Sequence, residues 1–174
     1  GGGGGGGTFV VDKTTGNPLI IAAGGNGASY KAYNVNGPDG LTTYDASRVG
    51  GGGNGGNSTT DYEYGRGGGG GGLVENGIIG TEFAYNYFIG KSFINGGIGG
   101  EQHSKKYKQY RNKYATGGFG GGGGAIYEGG GGGGYVGGDV VKGSDYNTSY
   151  PTYGAGSFIE GVASGSVIDE GLNT

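Results

Sequence analysis

The chain has 174 residues, 54 of them glycine, and a formal net charge of −3 at pH 7. A glycine share near one-third is typical of collagen, but collagen requires glycine at every third position and abundant proline. Here the glycines are consecutive and the chain has 3 prolines, which excludes a collagen triple helix. The chain also has no cysteine, which excludes a disulfide framework and any thiolate metal site.

Apolar clusters separate the glycine runs and indicate an ordered chain rather than a flexible linker. The sequence is 32% hydrophobic and 12% aromatic, whereas disordered segments are poor in aromatic and β-branched residues. Fixing a glycine backbone costs more conformational entropy than fixing that of other residues, and the runs have no side chains whose burial offsets this cost. Backbone hydrogen bonds and close packing must therefore hold the runs together.

The glycine runs predict an uncommon fold. A polyproline-II-like helix has three residues per turn and no internal hydrogen bonds, so its amides are free to bond neighbouring helices. Without side chains, many such helices can pack side by side. We therefore expect a single domain over residues 1–174, built as a bundle of parallel and antiparallel polyglycine-II helices with short β-strands. The longest glycine runs are residues 1–7, 67–72 and 129–134.

The first element predicted after residues 1–7 is a β-hairpin. Residues 8–12 and 18–23 are short apolar and β-branched runs, and the pentapeptide 13–17 between them is rich in turn-forming residues. The many glycine, asparagine and proline residues in the next segment, 24–49, predict a long surface loop.

The later elements follow from short patterns. Alternation of large aromatic residues over 83–88 predicts a strand. Residues 102–114 lack glycine and proline, and Tyr107, Tyr110 and Tyr114 recur there at helical spacing, which predicts at most one short helix. The tail predicts short strands separated by glycine, at residues 135–136, 139–141, 157–159 and 166–169.

Two predicted loops, residues 31–49 and 101–114, carry most of the side chains outside the runs and strands, and loops are where binding residues concentrate. Tyrosine suits such contacts because it buries a large area at low entropic cost. The second loop is basic with interleaved tyrosine, which is typical of a polyanion-binding surface. Its alternative interpretation is a solvated helix whose tyrosine face packs on the bundle. The predicted contact residues are Lys105, Lys106, Tyr107, Lys108, Tyr110, Arg111, Tyr33 and Tyr44.

No motif in the sequence predicts catalysis. Gly90, Lys91 and Ser92 match the end of a P-loop motif, but Tyr85 stands where the first glycine of that motif is required. His103 is the only histidine, and the chain has no cysteine. The sequence therefore indicates neither a catalytic triad nor a zinc site built from histidine and cysteine. We expect no enzyme activity, no catalytic residue, no cofactor and no metal.

The sequence favours an extracellular or cell-surface location. Asn57 and Asn147 begin N-x-[ST] sequences in predicted loops, which makes them candidate N-glycosylation sites. No stretch approaches the roughly 18 consecutive apolar residues that a membrane-spanning helix needs, so we expect no transmembrane segment in this chain. The glycine start and the absence of methionine indicate a fragment of a longer chain.

Several blocks in series point to a known family. They are PLIIAAGG at 18–25, GKS at 90–92, GGFGGGGG at 117–124 and GGGGGGYVGG at 129–138. In order and spacing these blocks resemble the glycine-rich region in the ectodomains of anaplastic lymphoma kinase and leukocyte tyrosine kinase. The resemblance covers nearly the whole chain. It implies polyglycine-II helices inserted into a β-sandwich of tumour-necrosis-factor-like type, a region that supports cytokine binding in those receptors.

The chain departs from the family in its cysteines. The receptors carry cysteines after the positions of His103 and Ser104 and between the last two glycine runs, where this chain has Lys105 onward and residues 125–128. Receptor signalling and cytokine partners are therefore not carried over, and the composition indicates a distant protist or microbial relative. Phage tail-tip adhesins are similar in architecture but not in motif order.

The sequence thus predicts a non-enzymatic extracellular module. A rigid polyglycine-II scaffold presents loops to a protein or glycan partner, or associates with itself into a fibre or surface structure. One alternative is a phage-type adhesin tip or a ligand-binding receptor ectodomain. A second is RNA or polyanion binding through residues 105–114, with steeply salt-dependent affinity. Nucleic acid is the disfavoured partner, because the chain has only Arg48, Arg66 and Arg111 as arginines.

Overall fold

The structure, a computed structural model, describes residues 1–28, 36–43, 67–78, 88–101, 115–125, 129–140 and 153–159. Within them, strands Thr8–Val11 (β1), Pro18–Ala22 (β2) and Phe158–Ile159 (β3) form an antiparallel sheet in the order β1-β2-β3. A short 3-10 helix covers Phe93–Asn95. The described part of the chain contains no α-helix and is mostly irregular with some β structure, as predicted. The helix predicted near 102–114 lies outside the described residues.

The predicted β-hairpin is confirmed, and Asp12 explains its turn. The Asp12 carboxylate accepts hydrogen bonds from the backbone N–H groups of Thr14 and Thr15 and from the Thr15 hydroxyl. Gly16 then takes a φ of 74°, which favours glycine, and its N–H donates to the Asp12 carbonyl. The bonds from Thr15 and then Thr14 hold the pKa of the Asp12 carboxyl below its usual value.

The two faces of the hairpin have different surroundings. Ile21 is fully buried, and the ring of Phe9 beside it stacks on Phe93 with ring centroids 4.9 Å apart. Val10 and Ile20 are paired across the strands on the opposite face, and both are exposed. Successive strand residues point to opposite faces, so a continuous apolar run places apolar side chains on the buried face and on the exposed face alike.

Backbone hydrogen bonds join residues 1–7, 24–28, 67–72, 117–124 and 129–134 to one another. These five segments are called the glycine network below. Most of their residues are buried, although they contribute almost no side chains. Their amides and carbonyls therefore make the contacts that side chains make in an ordinary core.

Hydrogen bonds along residues 129–134 repeat every three residues. The N–H groups of Gly130 and Gly133, three positions apart, donate to carbonyls of residues 1–7. The N–H groups of Gly131 and Gly134, also three positions apart, donate to carbonyls of residues 67–72. The N–H of Gly132 donates instead to the side-chain oxygen of Asn26. The donor and acceptor pairs are Gly130 with Gly2, Gly133 with Gly5, Gly131 with Gly68 and Gly134 with Gly71.

The carbonyls of residues 120–124 follow the same three-residue repeat. They accept alternately from residues 1–7 and 67–72, here from chains running in the opposite direction. Each glycine segment thus contacts several neighbours through backbone groups that turn regularly about its axis. The donor and acceptor pairs are Gly4 with Gly123, Gly7 with Gly120, Gly68 with Gly124 and Gly71 with Gly121.

Carbonyl oxygens occupy the space where side chains would begin. A Cβ atom added at Gly4, Gly70, Gly123 or Gly131 would overlap a carbonyl oxygen of another segment. Backbone atoms cannot move aside as a flexible side chain can. Close packing therefore requires glycine at these positions, which explains the consecutive runs.

The described parts of the predicted surface loop 24–49 have no helix or strand and no buried residue, but part of this segment is also hydrogen-bonded to the glycine runs, which the sequence did not predict. The N–H groups of Gly24 and Gly27 donate to residues 129–134, and Asn26 donates its N–H to the Pro38 carbonyl. The glycine, asparagine and proline content that is typical of loops also suits this network, so composition alone does not distinguish them.

Candidate functional site

One end of the glycine network holds the attachment points of most stretches outside the described residues. At this end the Gly2 N–H donates to the Ala28 carbonyl, Gly67 pairs with Ala125, and Gly129 packs against Gly67. We call it the insertion end, defined by these five residues. The stretches whose flanking residues lie there are 29–35, 79–87, 102–114, 126–128 and 141–152.

The two flanks of residues 102–114 illustrate this arrangement. On one side the Glu101 carbonyl lies next to Gly124, and on the other side Ala115 and Ala125 exchange backbone hydrogen bonds of 3.3 and 2.8 Å. The chain therefore leaves the network and returns to it beside the same two residues. A fixed pair of attachment points is what a loop-presenting scaffold requires.

The contact residues predicted from the sequence lie outside the described residues, and so do both candidate glycosylation sites. The described residues that flank the segments containing Tyr33 and Lys105 nevertheless lie at the same end of the network. The residues concerned are Lys105, Lys106, Tyr107, Lys108, Tyr110, Arg111, Tyr33, Tyr44, Asn57 and Asn147.

The opposite end of the network, which carries the hairpin, presents apolar side chains to solvent. Phe119 lies in a turn beside Gly120 and is 83% exposed, and Ile94 and Ile98 are more than half exposed. Gly120 and Gly97 are hydrogen-bonded, which brings these two connections together. Exposed apolar groups of this size, grouped on one surface, are typical of interaction sites.

The outer edge of β1 has no strand partner among the described residues. The N–H of Gly7 donates away from the hairpin to Gly120, while the N–H of Asp12 donates within it to Asn17. Because N–H groups alternate along a strand, those of Phe9 and Val11 face the open edge. The strand is uncharged, and an uncharged open edge is a template for pairing with another chain.

The P-loop-like residues 90–92 are hydrogen-bonded within the protein, in part to the glycine network. Gly90 donates its N–H to the Gly69 carbonyl, and the N–H of the fully buried Ser92 donates to the side-chain oxygen of Asn76. Both amides are thus used within the protein and are not directed at a ligand. Among the described residues, no group of three or more histidine, cysteine, aspartate or glutamate residues could hold a metal ion.

Asn26 is a structural residue that the sequence did not reveal. Its side-chain amide donates to the carbonyls of Asp139 and Tyr153, and its side-chain oxygen accepts from Gly132. The single side chain thus joins three segments that are distant in sequence. No local pattern marks it, because asparagine before glycine is also the commonest signal of a turn.

Comparisons with known proteins add no assignment. No protein-family model matches the chain, and no curated protein matches it. In the described part of the chain, no helix is long and apolar enough to cross a membrane.

Proposed function

We propose that the chain is a non-enzymatic scaffold, a bundle of polyglycine-II helices that presents loops for recognition at the insertion end. The three-residue repeat of hydrogen bonds in the glycine network carries this proposal. A polyglycine-II helix has three residues per turn, so every third amide should meet the same neighbour. Residues 129–134 follow that rule on two sides.

The position of the attachment points supports the division into scaffold and loops. The described flanks of five stretches lie at the insertion end, including the flanks of those that contain Tyr33 and Lys105. Binding loops held by a rigid framework are a common solution to recognition, because the framework limits the entropy lost on binding. We propose a protein or glycan partner outside the cell or at the cell surface.

The sequence resemblance supports the same proposal. The glycine-rich region of anaplastic lymphoma kinase and leukocyte tyrosine kinase combines polyglycine-II helices with a tumour-necrosis-factor-like sandwich. We propose that this chain is a distant relative of that region, with β1, β2 and β3 as its counterpart to sandwich strands. This part of the proposal depends on the blocks at 18–25 and 117–138.

Replacing a loop tests whether scaffold and loops are separable. Residues 102–114 are exchanged for a glycine–serine linker of the same length, with Glu101 and Ala115 kept because they contact the network. We expect the melting temperature to change by at most about 3 °C, since the contacts that hold the network remain. A variant that fails to fold, or that melts far lower, would contradict the division into scaffold and loops.

A second candidate function, self-assembly, is favoured by the open edge of β1. Antiparallel pairing of two copies with Val10 opposite its counterpart would let Phe9 of one copy and Val11 of the other exchange backbone hydrogen bonds. The edge is short, whereas stable interfaces bury about 800 Å² per partner. We therefore expect weak, concentration-dependent association rather than an obligate dimer.

Sedimentation velocity over a range of concentrations tests self-assembly with a matched pair of variants. Val10 and Val74 are 47% and 48% exposed, but only Val10 lies on the sheet. We expect Val10→Lys to abolish association and Val74→Lys to leave it unchanged. A chain that stays monomeric at every concentration, or equal effects of the two variants, would count against this candidate.

A further inference from the structure

Four asparagine–glycine steps lie among the described residues, and one differs from the others. At such a step the backbone nitrogen of the glycine can attack the carbon of the asparagine side-chain amide, because glycine has no side chain to obstruct the approach. The steps are Asn26–Gly27, Asn36–Gly37, Asn76–Gly77 and Asn95–Gly96.

Three of these steps are held in place by backbone hydrogen bonds from the glycine nitrogen. A nitrogen whose hydrogen is bonded to a fixed carbonyl can neither lose that hydrogen readily nor turn towards the side chain. The side chains of the three asparagines are also hydrogen-bonded. The backbone bonds are Gly27 to Gly130 (2.8 Å), Gly77 to Gly90 (2.9 Å) and Gly96 to Phe93 (2.9 Å).

The Asn36–Gly37 step has none of this protection. Asn36 is exposed, and neither its side chain nor the N–H of Gly37 makes a hydrogen bond with a described residue. The side-chain amide of Asn36 is therefore open to water, and no hydrogen bond to a described residue holds the reacting nitrogen of Gly37.

We propose that Asn36 is a site of spontaneous conversion to aspartate and isoaspartate. The nitrogen of Gly37 loses its proton and bonds to the Cγ atom of Asn36, and the bond from Cγ to the side-chain nitrogen breaks with release of ammonia. Water then opens the resulting cyclic imide at either carbonyl. Only water is consumed, so the reaction needs no oxidant, cofactor or enzyme.

The reaction changes the backbone where it meets the glycine network. A Cβ atom added at Gly37 would overlap the Asn26 carbonyl oxygen, so this contact has no spare room. Isoaspartate inserts a methylene group into the chain and adds a negative charge beside it. The change lies directly after residues 29–35, so it alters the C-terminal attachment point of the segment that contains Tyr33. Conversion is therefore a one-way, time-dependent modification of the insertion end.

Peptide mapping of the folded protein during incubation at mildly alkaline pH tests the proposal. Trypsin separates the four steps, because they fall in peptides 14–31, 32–48, 67–91 and 92–105. Fragmentation mass spectrometry locates the mass increase at Asn36. We expect conversion there to be at least about tenfold faster than at the other three steps, which react only through local opening.

The same incubation in concentrated urea is the matched control. Without the folded backbone, the tenfold difference between the four steps should disappear. An Asn36→Gln variant should keep its melting temperature and lose the fast release of ammonia, because the longer side chain forms the imide far less readily. Equal rates at all four steps in the folded protein, or a slower reaction at Asn36 than at the others, would overturn the proposal.

Discussion

The glycine network and the β1–β2 hairpin are stabilised by opposite means. In the network Gly131 donates its N–H to Gly68, accepts from Gly123, and has no room for a Cβ atom. In the hairpin Ile21 contributes a fully buried side chain and Phe9 stacks on Phe93. The hairpin is therefore sensitive to atoms removed, whereas the network is sensitive to atoms added.

The comparison also explains why the network needs so many glycines. Apolar burial is worth about 25 cal/mol per Å², and consecutive glycines offer little apolar area. Each buried backbone group must instead be paired, since leaving one unsatisfied costs about 1–3 kcal/mol. The regular three-residue repeat pairs the N–H groups of residues 130–134 with carbonyls, except at Gly132, where the side-chain oxygen of Asn26 takes the place of a carbonyl.

Adding one methyl group to the centre of the network should have the largest effect. In Gly131→Ala the new Cβ would overlap the Gly138 carbonyl oxygen. We expect a loss of about 3 kcal/mol and a melting temperature lower by roughly 6–12 °C. Calorimetry on the purified variant measures both quantities.

Gly25→Ala is the matched control for that variant. Its Cβ would lie 3.4 Å from the Pro38 carbonyl oxygen, an ordinary contact. The substitution should be neutral or stabilising by up to about 1 kcal/mol, because alanine restricts the unfolded chain. Equal melting temperatures for the two variants would show that packing does not require glycine at Gly131.

Removing the Asn26 side chain, which joins parts of the network, should have an intermediate effect. Asn26→Ala removes the side-chain oxygen that accepts from the Gly132 N–H, and it removes one hydrogen bond each to the carbonyls of Asp139 and Tyr153. We expect a loss of about 2 kcal/mol in urea unfolding. A change below the error of that measurement would mean that water replaces these bonds at no cost.

The hairpin turn should have the smallest effect, and one that depends on pH. The pKa of Asp12 is lowered chiefly by the Thr15 N–H, so the ionised carboxylate stabilises the fold above the usual aspartate range. That contribution is lost as the pH falls through the lowered pKa. Melting curves from neutral to acid pH should therefore show a small drop for the natural chain that is absent in Asp12→Asn. Parallel curves would contradict the role of Asp12.

The hairpin could be predicted from sequence because its determinants are local. Residues 8–12 and 18–23 are short apolar and β-branched runs on either side of a turn-forming pentapeptide, and these local patterns were enough to predict both strands. The need for paired glycine backbones also followed from composition. The pairing of segments did not, because one glycine is identical to the next and no side chain specifies a register. The side chain of Asn26 helps to fix the register by donating to the Asp139 carbonyl, 113 residues away, but no local sequence pattern marks this role.

Other features escaped prediction for related reasons. The short 3-10 helix Phe93–Asn95 is one of them, because the apolar Phe93 and Ile94 suit a strand as well, and their N–H groups donate to the carbonyls of the distant Gly72 and Leu73. The segment 24–28 has the composition of a loop but the hydrogen bonds of the network. Both cases depend on tertiary contacts, which override weak local preferences.

Native-state amide hydrogen exchange tests the central claim most directly. If the glycine network is the core, the N–H groups of Gly68, Gly123 and Gly131 open only with global unfolding. We expect them to exchange at least about 1,000-fold more slowly than free glycine amides, and as slowly as the amides that pair β1 with β2. Exchange of these glycines within about tenfold of the free rate, beside a protected hairpin, would show instead that the runs are flexible connections.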